Sequence, residues 1–143
     1  MQQILLYFNN NVAEGEQMKI TSFSPLIMSK ESEKIGKLFE ELGFHKTHEK
    51  KDVTEAHESG FRMKDEEGHS VSIAQVDKMT RDMTLIQMNV DNFDEAYELF
   101  KAHGFVNMKG SDEVIYTGSA KTAVLVSPSG FAVNIIYHIK DKD

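Results

Sequence analysis

The feature that most constrains this chain is repetition. Residues 28–44, MSKESEKIGKLFEELGF, and residues 90–105, VDNFDEAYELFKAHGF, close on one pattern: Leu-Phe, three residues, then Gly-Phe. Leu38-Phe39 and Gly43-Phe44 in the first copy match Leu99-Phe100 and Gly104-Phe105 in the second, all at one constant offset. Further on, EEGHSVSIAQV and SPSGFAVNIIY align through Gly68 and Gly130, where the offset has grown by a single position. Two motifs recurring in one order at nearly one offset indicate two copies of a supersecondary unit.

Each copy has the same internal grammar. The first helix is predicted to start near Ser29 as its cap, with Glu31 and Glu33 suited to the positive end of the helix dipole. Ile35, Leu38, Phe39 and Leu42 fall at i, i+3, i+4 and i+7, one apolar stripe, and Gly43 is placed to close the helix in the left-handed conformation. The second helix takes Asp91 as cap, Phe93, Ala96, Tyr97 and Phe100 as stripe, and Gly104 as stop. A strand precedes each helix (ITSFSPLIM and MTLIQMNV), and roughly 25–30 residues with alternation and turn signals follow it, room for about three strands. Each half therefore reads β-α-β-β-β, an α+β domain over residues 18–139 with modules at about 18–78 and 83–139 and a polar tail at 140–143.

Alternation assigns the faces. In MTLIQMNV, Ile86, Met88 and Val90 oppose Leu85, Gln87 and Asn89; in FAVNIIY, Phe131, Val133, Ile135 and Tyr137 oppose Ala132, Asn134 and Ile136. In HSVSIAQV, Val71 and Ile73 oppose Ser70, Ser72 and Ala74. The apolar faces suit packing under a helix. The mixed faces suit either a concave cavity or a solvated outer surface.

Composition excludes several classes. At 143 residues, 40% hydrophobic and 27% charged, the chain has the size and balance of one globular domain. A formal charge of −7 argues against nucleic acid and anionic membrane surfaces, and would weakly favour cationic ligands. The absence of cysteine removes disulfides, thiolate metal sites and a cysteine nucleophile, and fits a cytoplasmic protein. No segment is long enough to span a bilayer. The N-terminal MQQILLYFNN lacks a basic region and is a poor signal peptide. Residues 1–17 read as an extension ahead of a natural start at Met18, since codons for Glu14-Gly15-Glu16 could spell a purine-rich ribosome-binding sequence; the alternative is an arm that packs on a neighbouring subunit.

The tandem β-α-β-β-β order, the paired LF…GF helix ends and the SPSG turn before the last strand resemble the vicinal oxygen chelate superfamily. This group includes glyoxalase I, bleomycin- and fosfomycin-resistance proteins and extradiol dioxygenases. The resemblance covers about residues 18–139, and SPSGFAVNII is its most specific piece. It implies curved sheets forming an open, U-shaped cavity with helices outside. In the enzymes a divalent metal sits there on four residues, from the first and last strands of each module, and supplies the chemistry. Carried onto this chain, the last-strand positions four residues after the turn glycine are Ser72 and Asn134; the first-strand positions are Phe23 or Ser24 and Leu85. Leucine and phenylalanine cannot bind a metal, serine rarely does, and an amide is a weak neutral ligand, whereas a divalent ion needs anionic oxygen or imidazole nitrogen. No metal and no cofactor is expected.

The histidines do not change this. His45 and His48 are the one close pair, and residues three apart in a strand face opposite ways; His57, His69, His103 and His138 are scattered. There is no nucleophile elbow, phosphate loop or dinucleotide fingerprint. As an amide, Asn134 can still donate and accept hydrogen bonds in a cavity, with Gln87 as its companion and Arg62 and Tyr116 as further contributors. The resemblance, with these substitutions, thus points to a metal-free binder of a small organic ligand that does no metal chemistry, in ligand sequestration or resistance, forming a homodimer as the acidic bleomycin-resistance proteins do. Two alternatives stay open: a metal-dependent lyase, isomerase or dioxygenase whose ligands lie elsewhere, and a dimeric interaction module with a vestigial cavity.

Overall fold

The two halves meet strand against strand at the centre of one sheet. The computed structural model describes residues 18–50 and 59–139, so the 1–17 segment, His57 and the 140–143 tail lie outside the described residues. The first half runs β1 (Ile20–Ser29), α1 (Ser32–Glu41), β2 (His45–Lys50), β3 (Ser59–Lys64) and β4 (Ser70–Gln75). The second runs β5 (Met83–Val90), α2 (Phe93–Ala102), β6 (Val106–Asn107), β7 (Ile115–Tyr116), β8 (Ala120–Val126) and β9 (Ala132–His138). The sheet order is β2-β3-β4-β1-β5-β9-β8-β6, with β7 also on β8. It is mixed and open: β1–β5 is antiparallel, while β1–β4 and β5–β9 are parallel, the pairing a helical crossover permits. At the central seam Ser24 pairs with Gln87 and Leu26 with Leu85. The repeat offset carries Ser24 onto Leu85 and Leu26 onto Gln87, so each of these pairs is the image of the other. The seam is the register that a two-fold relation between the halves requires.

Both helices lie on the same side of this sheet. In the second half, Phe93, Ala96 and Tyr97 of α2 pack with Val90, Ala123, Leu125, Val133 and Ile135. In the first, Ile35 and Phe39 of α1 pack on Phe61, Met63, Val71 and Ile73. A third cluster, Leu26, Leu85 and Ala132 flanked by Met28, Ala74, Met83, Val124 and Val126, contains no helix residue and lies on the opposite face. Gly43 and Gly104 close the two helices with φ of 102° and 90°, the left-handed geometry that glycine adopts without a steric penalty.

The structure corrects three expectations. Neither predicted cap is the cap: α2 is capped by Asn92, whose Oδ1 accepts from the Glu95 amide at 3.0 Å, while Asp91 accepts from the Lys19 amide beside the start of β1. Ser29 accepts from the Glu31 amide ahead of α1, whose N-cap residue Glu31 makes no side-chain capping bond. Second, Leu38 and Leu42 are exposed, because the inward stripe of α1 is Ser32, Ile35, Gly36 and Phe39. The helix comes so close that a Cβ on Gly36 would stand 3.0 Å from Cζ of Phe61.

Third, the edge strand of the second half is split into β6 and β7. Between them the chain is gathered by Asn107, whose amide donates to the Glu113 carbonyl at 2.8 Å and accepts from the Lys109 amide at 2.9 Å. Tyr97 Oη donates to Asp112 at 2.8 Å and accepts from Asn107 at 3.2 Å, and Lys101 reaches the same carboxylate at 3.1 Å. The Tyr97 hydroxyl, with Lys101 beside it, holds the Asp112 carboxyl below the ordinary carboxylate range. Desolvation pushes the Tyr97 phenol up, and Asp112 raises Lys101.

Candidate functional site on the helix-free face

The side chains that point away from both helices form an ordered field. Ser24, Leu26, Ser72, Leu85, Gln87 and Ala132 are all buried at its centre, although no helix packs there. Leu85, carried from the resemblance as a would-be chelator, belongs to the apolar floor, 3% exposed and paired across the seam with Leu26. Above that floor runs a row of neutral polar groups. Gln87 Nε2 donates to Ser72 Oγ at 3.4 Å, a contact that passes over β1 and joins the two halves. Asn134 sits opposite Gln87 in the parallel β5–β9 pair, and its Oδ1 accepts from Thr122 Oγ1 at 2.7 Å. Asn89, two residues from Gln87, has a buried Oδ1 with no hydrogen-bond partner among the described residues.

Four residues from sequence reasoning, Ser72, Leu85, Gln87 and Asn134, thus lie together, and Arg62 joins them as the cross-strand partner of Ser72. Two do not. Phe23 pairs with Met88, a helix-side residue, and is 59% exposed; its alternative Ser24 takes the inward place, because neighbouring strand residues face opposite ways. Tyr116 pairs with Lys121, whose ammonium lies over the Phe93 ring on the helix side, and is 63% exposed. Sequence reasoning missed Thr122, the partner of Asn134, and Lys64, which shares the face with Arg62. The alternation of β8 and β3 was the signal that could have found them.

The donor set does not fit a divalent cation. Of the four transferred positions, Ser24, Ser72 and Asn134 offer only neutral oxygens, the Ser72 and Asn134 oxygens already take bonds from Gln87 and Thr122, and Leu85 offers no donor. Among the described residues no group of three His, Asp or Glu side chains converges. His69 instead bonds Asp65 at 2.8 Å in the β3–β4 turn, holding that carboxyl below its ordinary range.

The flanks of the face differ in charge. Arg62 and Lys64 on β3 correspond, by the offset that relates Gly68 to Gly130, to Val124 and Val126 on β8. Arg62 pairs with Ser72 as Val124 pairs with Asn134, so the correspondence is one of register as well as sequence. A separate recess of about 450 Å³ opens on the helix side, where Leu99, Phe100 and His103 of α2 and its end meet Phe105, Ser127 and Phe131. It shares no residue with the polar row.

No family model matches the sequence, and no curated protein matches it. Solved structures do. A hypothetical protein from Bacillus halodurans superposes with a TM-score of 0.62 at 12% identity, over 89% of this chain and 99% of that one. A mutant glyoxalase I from Zea mays gives 0.61 at 13% identity over 90% of this chain, which spans 47% of the maize protein. A glyoxalase/bleomycin resistance protein/dioxygenase superfamily member from Vibrio splendidus gives 0.54 at 14% identity, over 85% of this chain and all of that one, 100%. At such identities the likeness is one of fold.

Proposed function

Starting from the vicinal oxygen chelate fold, we propose that this protein binds a small organic molecule on its helix-free face and holds it without metal chemistry. The observation that carries this reading is the neutral row Ser72–Gln87 and Thr122–Asn134, in which Ser72 and Asn134 hold two of the places that the resemblance gives to chelating residues and are bonded to an amide and a hydroxyl instead. Buried amides and hydroxyls beside an apolar floor are what orients an organic ligand, and they supply nothing that would offset the lost hydration of a cation. The role is sequestration or carriage, in a reducing compartment that a cysteine-free chain tolerates. None of the described helices is long and apolar enough to cross a membrane.

The reading includes association of two copies, supported by the outer sheet edges at β2 and β6 and the exposed Leu38 and Leu42 of α1. Sedimentation across a concentration series tests it. For the site, protein purified without chelators is expected to carry no stoichiometric Zn, Ni, Mn or Fe, and its melting temperature should not move on adding EDTA. Small organic compounds that raise the melting temperature should lose that effect in Gln87→Leu and Asn134→Leu. One tightly held metal ion per chain, stripped by EDTA with loss of stability, would overturn the reading.

A further inference from the structure

Arg62 carries an inference about the ligand itself. Its side chain is half-buried, on the same face as Ser72, and among the described residues it makes no ion pair and no side-chain hydrogen bond. No described strand residue on that face is Asp or Glu: the nearest carboxylate in sequence, Asp65, belongs to the turn and is engaged by His69. A guanidinium partly withdrawn from water with no counter-charge is unfavourable unless something supplies one. Lys64, on the same strand and face, adds a second positive charge and also has no partner among the described residues. The overall charge of −7 therefore does not describe this surface, whose first-half flank is cationic among the described residues.

The opposite flank is apolar, with Val124 and Val126 at the places corresponding to Arg62 and Lys64. We infer that the ligand is an amphipathic organic carboxylate, its anionic group in the fork of Arg62 and its apolar body laid over Leu26, Leu85 and Ala132 toward Val124. This rests on the reading of the helix-free face as a binding site, and makes it specific. It also reverses the expectation, drawn from net charge, of a cationic ligand. A carboxylate fits because the planar guanidinium presents two parallel N–H groups to it, and because the flanking amides and hydroxyls are neutral. Two inter-strand spacings, about 10 Å, separate β3 from β1, where the apolar floor begins. A phenyl ring on a four-carbon acid covers that span.

The probes are 4-phenylbutyrate, its amide and the matched amine 4-phenylbutylamine, titrated by calorimetry into the full chain at low salt. The carboxylate is expected to bind about tenfold more tightly than either, the gain of a charge-assisted pair. Arg62→Gln should erase that preference while leaving the amide's affinity in place. Arg62→Lys should keep part of it, and Lys64→Gln should lower it less than Arg62→Gln. Amide or amine binding at least as tightly as the acid, or an Arg62→Gln protein that keeps the preference, overturns the ligand class alone. Binding of none of the three, with unchanged stability in Gln87→Leu and Asn134→Leu, overturns the site itself.

Discussion

The two halves share a topology and reverse each other's packing. In the first, the ring that fills the space between helix and sheet belongs to the sheet: Phe61 on β3 lies against Gly36 of α1. In the second the ring belongs to the helix: Tyr97 of α2 packs in a cluster with Ala123 of β8. Gly36 and Tyr97 hold equivalent places in the repeat, and so do Phe61 and Ala123, since Phe61 pairs with Ile73 as Ala123 pairs with Ile135. What has been kept is the volume between the layers; which layer supplies it is interchangeable.

The reversal has consequences. Tyr97 brings a hydroxyl that the first half lacks, and around it the second half has built the Asn107, Asp112 and Lys101 network that holds the β6–β7 segment. The first half, without such a clasp among its described residues, places two cations, Arg62 and Lys64, on the helix-free side of β3. The second half has the clasp and supplies Gln87, Thr122 and Asn134 of the polar row, while the first half contributes Ser72 and the cations of β3.

The comparison breaks most visibly at the ring. Phe61→Ala is expected to cost about 3–5 kcal/mol in urea unfolding, the loss of a large buried side chain. Gly36→Ala alone should cost about 1–2 kcal/mol, since crowding of the ring outweighs the better helix propensity. In the Phe61→Ala background the same change should become stabilising, by about 0.5–1 kcal/mol. Equal effects of Gly36→Ala in both backgrounds would refute the packing account.

Next is the clasp. Asn107→Leu is expected to cost about 2 kcal/mol, because backbone groups at Glu113 and Lys109 lose their partner. The same network makes stability depend on pH in a definite sense. The lowered Asp112 carboxyl contributes fully above the ordinary carboxylate range, and that contribution fades as the pH falls through its folded value. The raised Lys101 contributes below the ordinary ammonium range and fades as the pH rises through its folded value. Asp112→Asn should therefore reduce both limbs of the stability profile, leaving the acid loss due to Asp65 and Glu31 and the alkaline loss due to Lys34 and the desolvated Tyr97.

The smallest expected contrast is at the helix starts. Asn92→Ala should cost about 1 kcal/mol as a lost cap, whereas Glu31→Ala, which removes no capping bond and only an exposed ion pair with Lys34, should lower the thermal midpoint by less.

Much of this architecture is legible in the sequence, and the failures have a common cause. The LF…GF ends, Gly43 and Gly104, and the alternation of Leu85, Gln87 and Asn134 all report local rules, and the helix ends and strand faces follow them. The stripe of α1 was misread because two of its inward residues, Ser32 and Gly36, are not apolar; a hydrophobic pattern cannot register a glycine chosen to let a ring approach. Ser29 and Asp91 have cap chemistry but sit where the chain has not yet turned, and bond nearby backbone instead. Phe23 and Tyr116 failed by a single residue of register, which sends a strand side chain to the opposite face. Arg62 stood out by residue type, while its lack of an acidic neighbour among the described residues belongs to the folded sheet and could not be seen in one dimension.

The Gln87–Ser72 hydrogen bond vaults a strand that contributes neither end of it. A guest settling onto that surface must keep this brace or trade it for contacts of its own, and either choice is felt on both sides of the seam at once. On the proposed reading, occupancy would then be a property of the whole molecule, both halves answering together across β1, the strand beneath the brace.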